Sequence, residues 1–126
     1  MRSRREKYCE LLNIRTRIIY NKIGSAYCPA LGKTVVFNAK GYHHLHYKPD
    51  RTARDVKERI YKLRLLPLAV PVIKNADVIE SVRNIKRGKQ FALVAKVGRK
   101  NPVEVRVIIL EVENSGHPIF WSIMKH

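Results

Sequence analysis

The sequence predicts an α+β domain in which N-terminal helices pack on a four-stranded antiparallel β-meander. Two observations predict it. Over residues 4–76 the apolar positions recur mainly at helical spacing, whereas residues 78–124 break into four β-branched or aromatic runs. Short turn segments join those runs, which suits strands laid down antiparallel in order. A chain of 126 residues fits one domain with one modest core.

Residues 4–20 read as a basic amphipathic helix, with Leu11, Ile14 and Ile18 as its expected core stripe and Tyr8, Leu12 and Ile19 beside it. Residues 24–32, with Pro29 inside, read as a loop, and 33–37 as a short strand. Asn38 is placed to cap a helical turn that carries three histidines, and Pro49 ends it. Thr52 and Asp55 stand at capping-box spacing before a helix with Val56, Ile60 and Leu63 on one face. Asp55 with Arg59 and Glu58 with Lys62 form acid-first i, i+4 pairs on it. Residues 65–76 read as a second short helix, which requires Pro71 in its first turn. The expected strands are 78–85, 91–97, 103–112 and 119–124.

Charge bounds the partners. Twenty-six Lys and Arg against ten Asp and Glu leave +16, a field that attracts polyanions, and nucleic acid is the commonest one inside a cell. A membrane-surface role would call for a basic helix carrying Trp or Phe, but the single Trp121 sits in a strand-like run. Cys9 and Cys28 are too few for a disulfide framework or a cysteine zinc site. The basic start of the chain leads into no continuous apolar run, and no stretch is long enough for a membrane span, so the expectation is a soluble, cytoplasmic protein.

The segment 41–51 concentrates the chemistry. His43, His44 and His46 fall within four residues, among Tyr42, Tyr47, Lys48 and Arg51. As metal ligands they lack a cysteine pair or a nearby carboxylate to complete a shell, so no metal and no cofactor is expected. Acid/base work fits better. RNA is cleaved without metal when its own 2′-OH attacks the adjacent phosphate. The protein must then supply a base, an acid and cations for the phosphoryl oxygens. On a helical turn His43 and His46 share a face, while Lys48 follows His44 at i, i+4 and would hold its imidazole neutral. Lys40, His46, Arg51 and Arg54 are candidate nucleic-acid contacts. His117, in a turn, and His126, at the end of the chain, read as uninvolved imidazoles.

Two strand residues stand out. Arg106 interrupts the most strand-like run, either as a solvent-facing cation or as a phosphate ligand on an open sheet face. Ser122 shares that face if three or five residues are unpaired at the preceding turn, and faces away if two or four are.

The ordered set His44-Leu45-x-Tyr47-Lys48, Arg51-x-x-Arg54, Arg59, Leu65-Leu66-Pro67, Val105-Arg106-Val107-Ile108 and Phe120-Trp121-Ser122-Ile123-Met124 resembles the phage-associated branch of the barnase–EndoU–colicin–RelE superfamily of small metal-independent nucleases. The resemblance spans about residues 35–124. It implies helices on a four-stranded antiparallel sheet, with residues 33–126 as the nuclease-like core and 1–32 as a basic helical extension. It further implies an endoribonuclease, with His44 as acid/base residue, Lys48 and Arg106 stabilising the phosphate, and Ser122 positioning substrate or assisting proton transfer. RNA is the expected partner. A toxin or phage-associated effector of this kind would also be matched by an acidic inhibitor or antitoxin protein. The non-catalytic alternative is an RNA- or DNA-binding module, for which the charge alone suffices.

Overall fold

In the computed structural model, which describes residues 2–126, the chain folds as α+β. Helix α1 spans Arg4–Ile23 and is capped by Ser3, whose Oγ accepts from the Glu6 amide at 3.1 Å. It buries Cys9, Thr16 and Tyr20. The expected core stripe points the other way: Leu11, Ile14 and Ile18 are 63, 60 and 54% exposed. The helix instead packs on its neighbours through Cys9, Leu12, Thr16 and Tyr20, a stripe at helical spacing built largely of small or polar side chains.

Strands β1 (Ser25–Cys28) and β2 (Lys33–Val36) form an antiparallel hairpin. β1 lies inside the segment expected to be a loop. Gly32, at φ +66°, closes the hairpin turn, its amide donating to Cys28 O at 2.8 Å. Helices α2 (Ala39–His46) and α3 (Val56–Leu65) follow. A 3₁₀ turn (Leu66–Leu68) leads into α4 (Ala69–Asn75), with Pro71 in its first turn, where no intrahelical amide donor is required. The α3 cap differs from expectation. Asp55 is itself the N-cap and accepts from the Glu58 amide at 2.8 Å, while Thr52 turns back to Asp50.

Strands β3 (Ile79–Ile85), β4 (Gly88–Val97), β5 (Val103–Val112) and β6 (Ile119–Lys125) pair successively antiparallel. The sheet does not stop there. β2 joins β6 in parallel through Val36 and Ile119, giving a six-stranded mixed sheet of order β1-β2-β6-β5-β4-β3. The expected four-stranded antiparallel sheet is corrected accordingly. A four-residue strand between two glycines offers too little periodicity to be read from sequence.

One face of the sheet carries Leu93, Val105, Val107, Ile109, Phe120 and Ile123, buried with Leu63, Leu66, Val72 and Ile73 of the helical layer. Beyond Ile119 the outer edge of β6 has no strand partner, and α3 satisfies it instead. Tyr61 Oη accepts from the Lys125 amide at 2.6 Å, and Lys62 Nζ donates to Ile123 O at 3.0 Å.

An aromatic cluster fixes α1 and α2 against β6. Phe37 stacks on Phe120 at 5.0 Å, and Tyr20 meets Phe37, Tyr42 and Phe120 edge-on. Tyr20 Oη donates to Asn38 O at 2.6 Å, at the start of α2. Gly41 makes this seat possible, because a Cβ there would lie 2.2 Å from Phe120 O and 2.8 Å from Tyr20 Oη. Gly41→Ala is therefore expected to cost ~1–3 kcal/mol through overpacking, read as a lower urea midpoint at unchanged m-value.

Candidate functional site

Asn38 starts α2 by accepting from the amides of Lys40 and Gly41, and the helix ends at His46 because Tyr47 turns extended (φ −129°, ψ 142°). His44 and His46, two residues apart, project to opposite sides of the helix. Each is only 8% exposed, whereas His43 is exposed and stacks on Tyr47 at 4.4 Å.

His44 lies flat on Trp121 of β6, with ring centroids 4.2 Å apart and planes 14° from parallel. Arg54 meets its edge: Nε donates to the His44 carbonyl at 3.0 Å and Nη2 lies 3.3 Å from the ring Nε2. A guanidinium only donates, so Nε2 accepts and the neutral ring carries its proton on Nδ1. Burial, then Arg54, Lys62 and His43, push its pKa from 6.5 down to about 4. Arg54 also pairs with Glu58 at 2.6 Å. Lys62, itself buried, donates to Ser122 Oγ and Ile123 O, both at 3.0 Å. Burial and Arg54 lower its pKa to about 8, with Glu58 opposing. An imidazole, a guanidinium, a weakly held ammonium and a hydroxyl thus gather where α2, α3 and β6 meet.

That group overlaps the expected site only in part. Ser122 does lie opposite Ile108, on the strand face that carries Arg106 by register, but its hydroxyl is taken by Lys62. Arg106 lies across from Val94 and Met124 and is paired with Glu80 at 2.9 Å, beside His126, which also reaches Glu80. It is not brought to His44. Lys48 does not stand one helical turn from His44, because the helix has already ended, and the cations that depress the His44 pKa are Arg54 and Lys62. Lys40 and Arg51 are exposed, Arg51 at φ +73° in the turn after Pro49.

Sequence reasoning missed Lys62, Glu58 and Trp121. The pairs read along α3 are broken by neighbours outside the helix. Arg59 serves His46, Glu58 serves Arg54, and Lys62 serves β6.

On the other side of α2, a cavity of about 480 Å³ opens between α1, α2 and α3. Arg17, Tyr42, His43, His46 and Arg59 line it, together with asparagines, and no carboxylate does. Arg59 Nε donates to His46 Nδ1 at 3.1 Å, which leaves the proton on Nε2; that atom is buried with no hydrogen-bond partner. Burial, then Arg59, His43 and Arg17, bring the His46 pKa down to about 4.

Among the described residues, no three His, Cys, Asp or Glu side chains gather where a metal ion would be held, and no helix is long and apolar enough to cross a membrane. No protein-family profile, curated protein or solved structure matches the chain.

The two imidazoles link pH to stability. Their folded pKa values near 4 lie below the ordinary 6.5, so the unfolded chain binds more protons between those values. This stabilising contribution is fully present above about pH 6.5 and is lost as the pH falls toward 4. At ~1.4 kcal/mol per pKa unit, the loss is on the order of 1–3 kcal/mol per imidazole. Urea midpoints at pH 7 and pH 4.5 should fall less in the double variant His44→Gln, His46→Gln than in the native chain. Equal falls would show that the imidazoles do not carry the effect.

Proposed function

We propose that the protein is a small metal-independent endoribonuclease whose acid/base chemistry is centred on His44. The observation that carries this reading is the meeting of a neutral imidazole, a guanidinium and an ammonium of pKa about 8 in one cluster. A base must be unprotonated at working pH, and the burial and cations around His44 keep it so. Arg54 supplies fixed positive charge for the phosphoryl oxygens, usually the larger energetic term. Lys62, losing its proton near neutrality, is suited to donate it to a leaving group.

In the proposed step, RNA phosphate draws Arg54 away from Nε2, and the freed imidazole accepts the 2′-OH proton. The 2′-oxygen attacks phosphorus, the P–O5′ bond breaks, and the Lys62 ammonium protonates the departing 5′-oxygen. The products are a 2′,3′-cyclic phosphate and a free 5′-hydroxyl. Arg54 and Lys62 thereby take the phosphate and proton-donor roles, in place of Lys48 and Arg106, while Ser122 holds Lys62. The +16 charge favours RNA over neutral or cationic substrates.

A second reading, an RNA-binding module without cleavage, draws on one observation. His44 is stacked on Trp121, its Nε2 is taken by Arg54, and it lines none of the three cavities described.

Labelled RNA incubated in EDTA, with an all-deoxy strand as control, separates the two. Cleavage of the RNA alone is expected, and His44→Gln is expected to slow it ~10²–10⁴-fold while RNA binding persists. A requirement for divalent metal, cleavage of the deoxy strand, or full activity in His44→Gln would overturn the mechanism. Intact RNA that is still bound would establish the second reading.

A further inference from the structure

The cavity between α1, α2 and α3 has no part in the cleavage step, yet its walls are specialised. Three features of it converge on one class of ligand.

The first is charge. Arg17 from α1 and Arg59 from α3 both line the space, and no Asp or Glu is among its lining residues. Arg17 sits over the Tyr42 ring at 5.6 Å, and Arg59 is bonded to an imidazole rather than to an acid. Both guanidinium groups therefore keep donors unspent on carboxylates, the arrangement that suits an anion with several oxygens. The other two principal cavities each include carboxylates, Glu111 and Glu113 in one and Glu80 in the other.

The second is an unsatisfied donor. His46 is more than nine-tenths buried and lines the cavity, and its Nε2–H has no partner. Leaving a buried N–H unpaired costs ~1–3 kcal/mol, a cost removed only when the ring shifts to bring Nε2 to an acceptor oxygen.

The third is shape and aromatic content. A volume of about 480 Å³ falls within the range of pockets that take small ligands, ~300–1,000 Å³, and is far too narrow for a duplex. Tyr42 and Tyr20 line the interior, while the stacked rings of His43 and Tyr47 stand at the exposed rim. Flat rings beside guanidinium groups are the means by which single-stranded nucleic acid is held without duplex geometry.

We propose that this cavity binds one nucleotide unit of single-stranded RNA, with its phosphate on Arg17 and Arg59, the latter bonded to His46, and its base against the His43–Tyr47 pair. This rests on the reading of RNA as the partner, but not on cleavage. It gives the basic N-terminal helix a role: α1 supplies one wall and Arg17. Because His44 and His46 project to opposite sides of one short helix, only a strand crossing over α2 would reach both sites.

The test uses the full chain and a short 2′-O-methyl RNA, which lacks a free 2′-OH and so reports binding alone. By fluorescence anisotropy, Arg17→Gln is expected to weaken binding about tenfold or more, as for loss of a hydrogen bond from a charged donor. It should also reduce the slope of log affinity against log salt by about 0.7, one phosphate contact on a single strand. Arg17 is exposed, so its replacement leaves the core intact. Lys100→Gln, in the turn between β4 and β5, removes the same charge and should change neither quantity by as much. In the native chain, the His46 ring resonances should move on adding the oligonucleotide.

Native-strength binding with an unchanged salt slope in Arg17→Gln would overturn the proposal, as would unmoved His46 resonances at saturation. Failure of native protein to cleave unmodified RNA would count against the nuclease reading only. Failure to bind the 2′-O-methyl strand at all would overturn the cavity proposal directly.

Discussion

The contact between Gly41 and the β6 backbone is the constraint on which the rest of the molecule depends. No side chain fits between α2 and Phe120 O, so the helix can be seated there only through a glycine. Tyr20, Phe37, Tyr42 and Phe120 then lock the seat from the α1 side, and the Tyr20 hydroxyl ties α1 to the start of α2. Once α2 is fixed this closely, its two buried imidazoles have no freedom of direction. One lies on Trp121 and the other is held by Arg59 of α3.

The second organising influence is an excess of buried or half-buried cations over anions. Arg54, Arg59 and Lys62 all come from α3 or the turn before it, and only Glu58 answers them nearby. Protonating either imidazole would add positive charge to that field in a poorly solvated place, which is why both rings stay neutral. The same crowding loosens the Lys62 proton. Under the proposed function, an arriving phosphodiester would reverse the balance: its negative charge would raise the imidazole pKa values and give the guanidinium groups a partner. On that reading the placement of the cations would favour a bound polyanion beyond what net charge alone provides.

How much of this was legible in the sequence depends on which interactions were local. The Asn38 cap and the β-branched runs that became β3 to β6 are written in consecutive residues, and they were readable. The first helix was readable as a helix but not in its orientation. Its greasiest stripe, Leu11-Ile14-Ile18, is exposed, while the buried stripe runs through Cys9, Thr16 and Tyr20. Hydrophobic periodicity weighs bulk, whereas this contact is made by small groups and one aromatic ring. β1 was lost because four residues between glycines carry almost no pattern. In the histidine segment, His44 and His46 are buried, and the side chains they meet come from elsewhere in the sequence. Lys48 was placed a helical turn from His44 by its i, i+4 spacing, and the early end of α2 breaks that spacing. Lys62 was read as half of an i, i+4 pair with Glu58, and it is buried against the last strand. Tertiary contacts of this kind have no signature in a single sequence.

Neutral imidazoles on both sides of α2 are the central claim, and an NMR titration of the free protein tests it most directly. Following the ring resonances of His44 and His46 from pH 8 to pH 3.5 should give midpoints near 4 for both. Below pH 7 and above those midpoints, the nitrogen shifts should place the proton on Nδ1 of His44 and on Nε2 of His46. Midpoints near the ordinary value of 6.5, or the opposite tautomers, would contradict the burial and cation contacts on which the account rests.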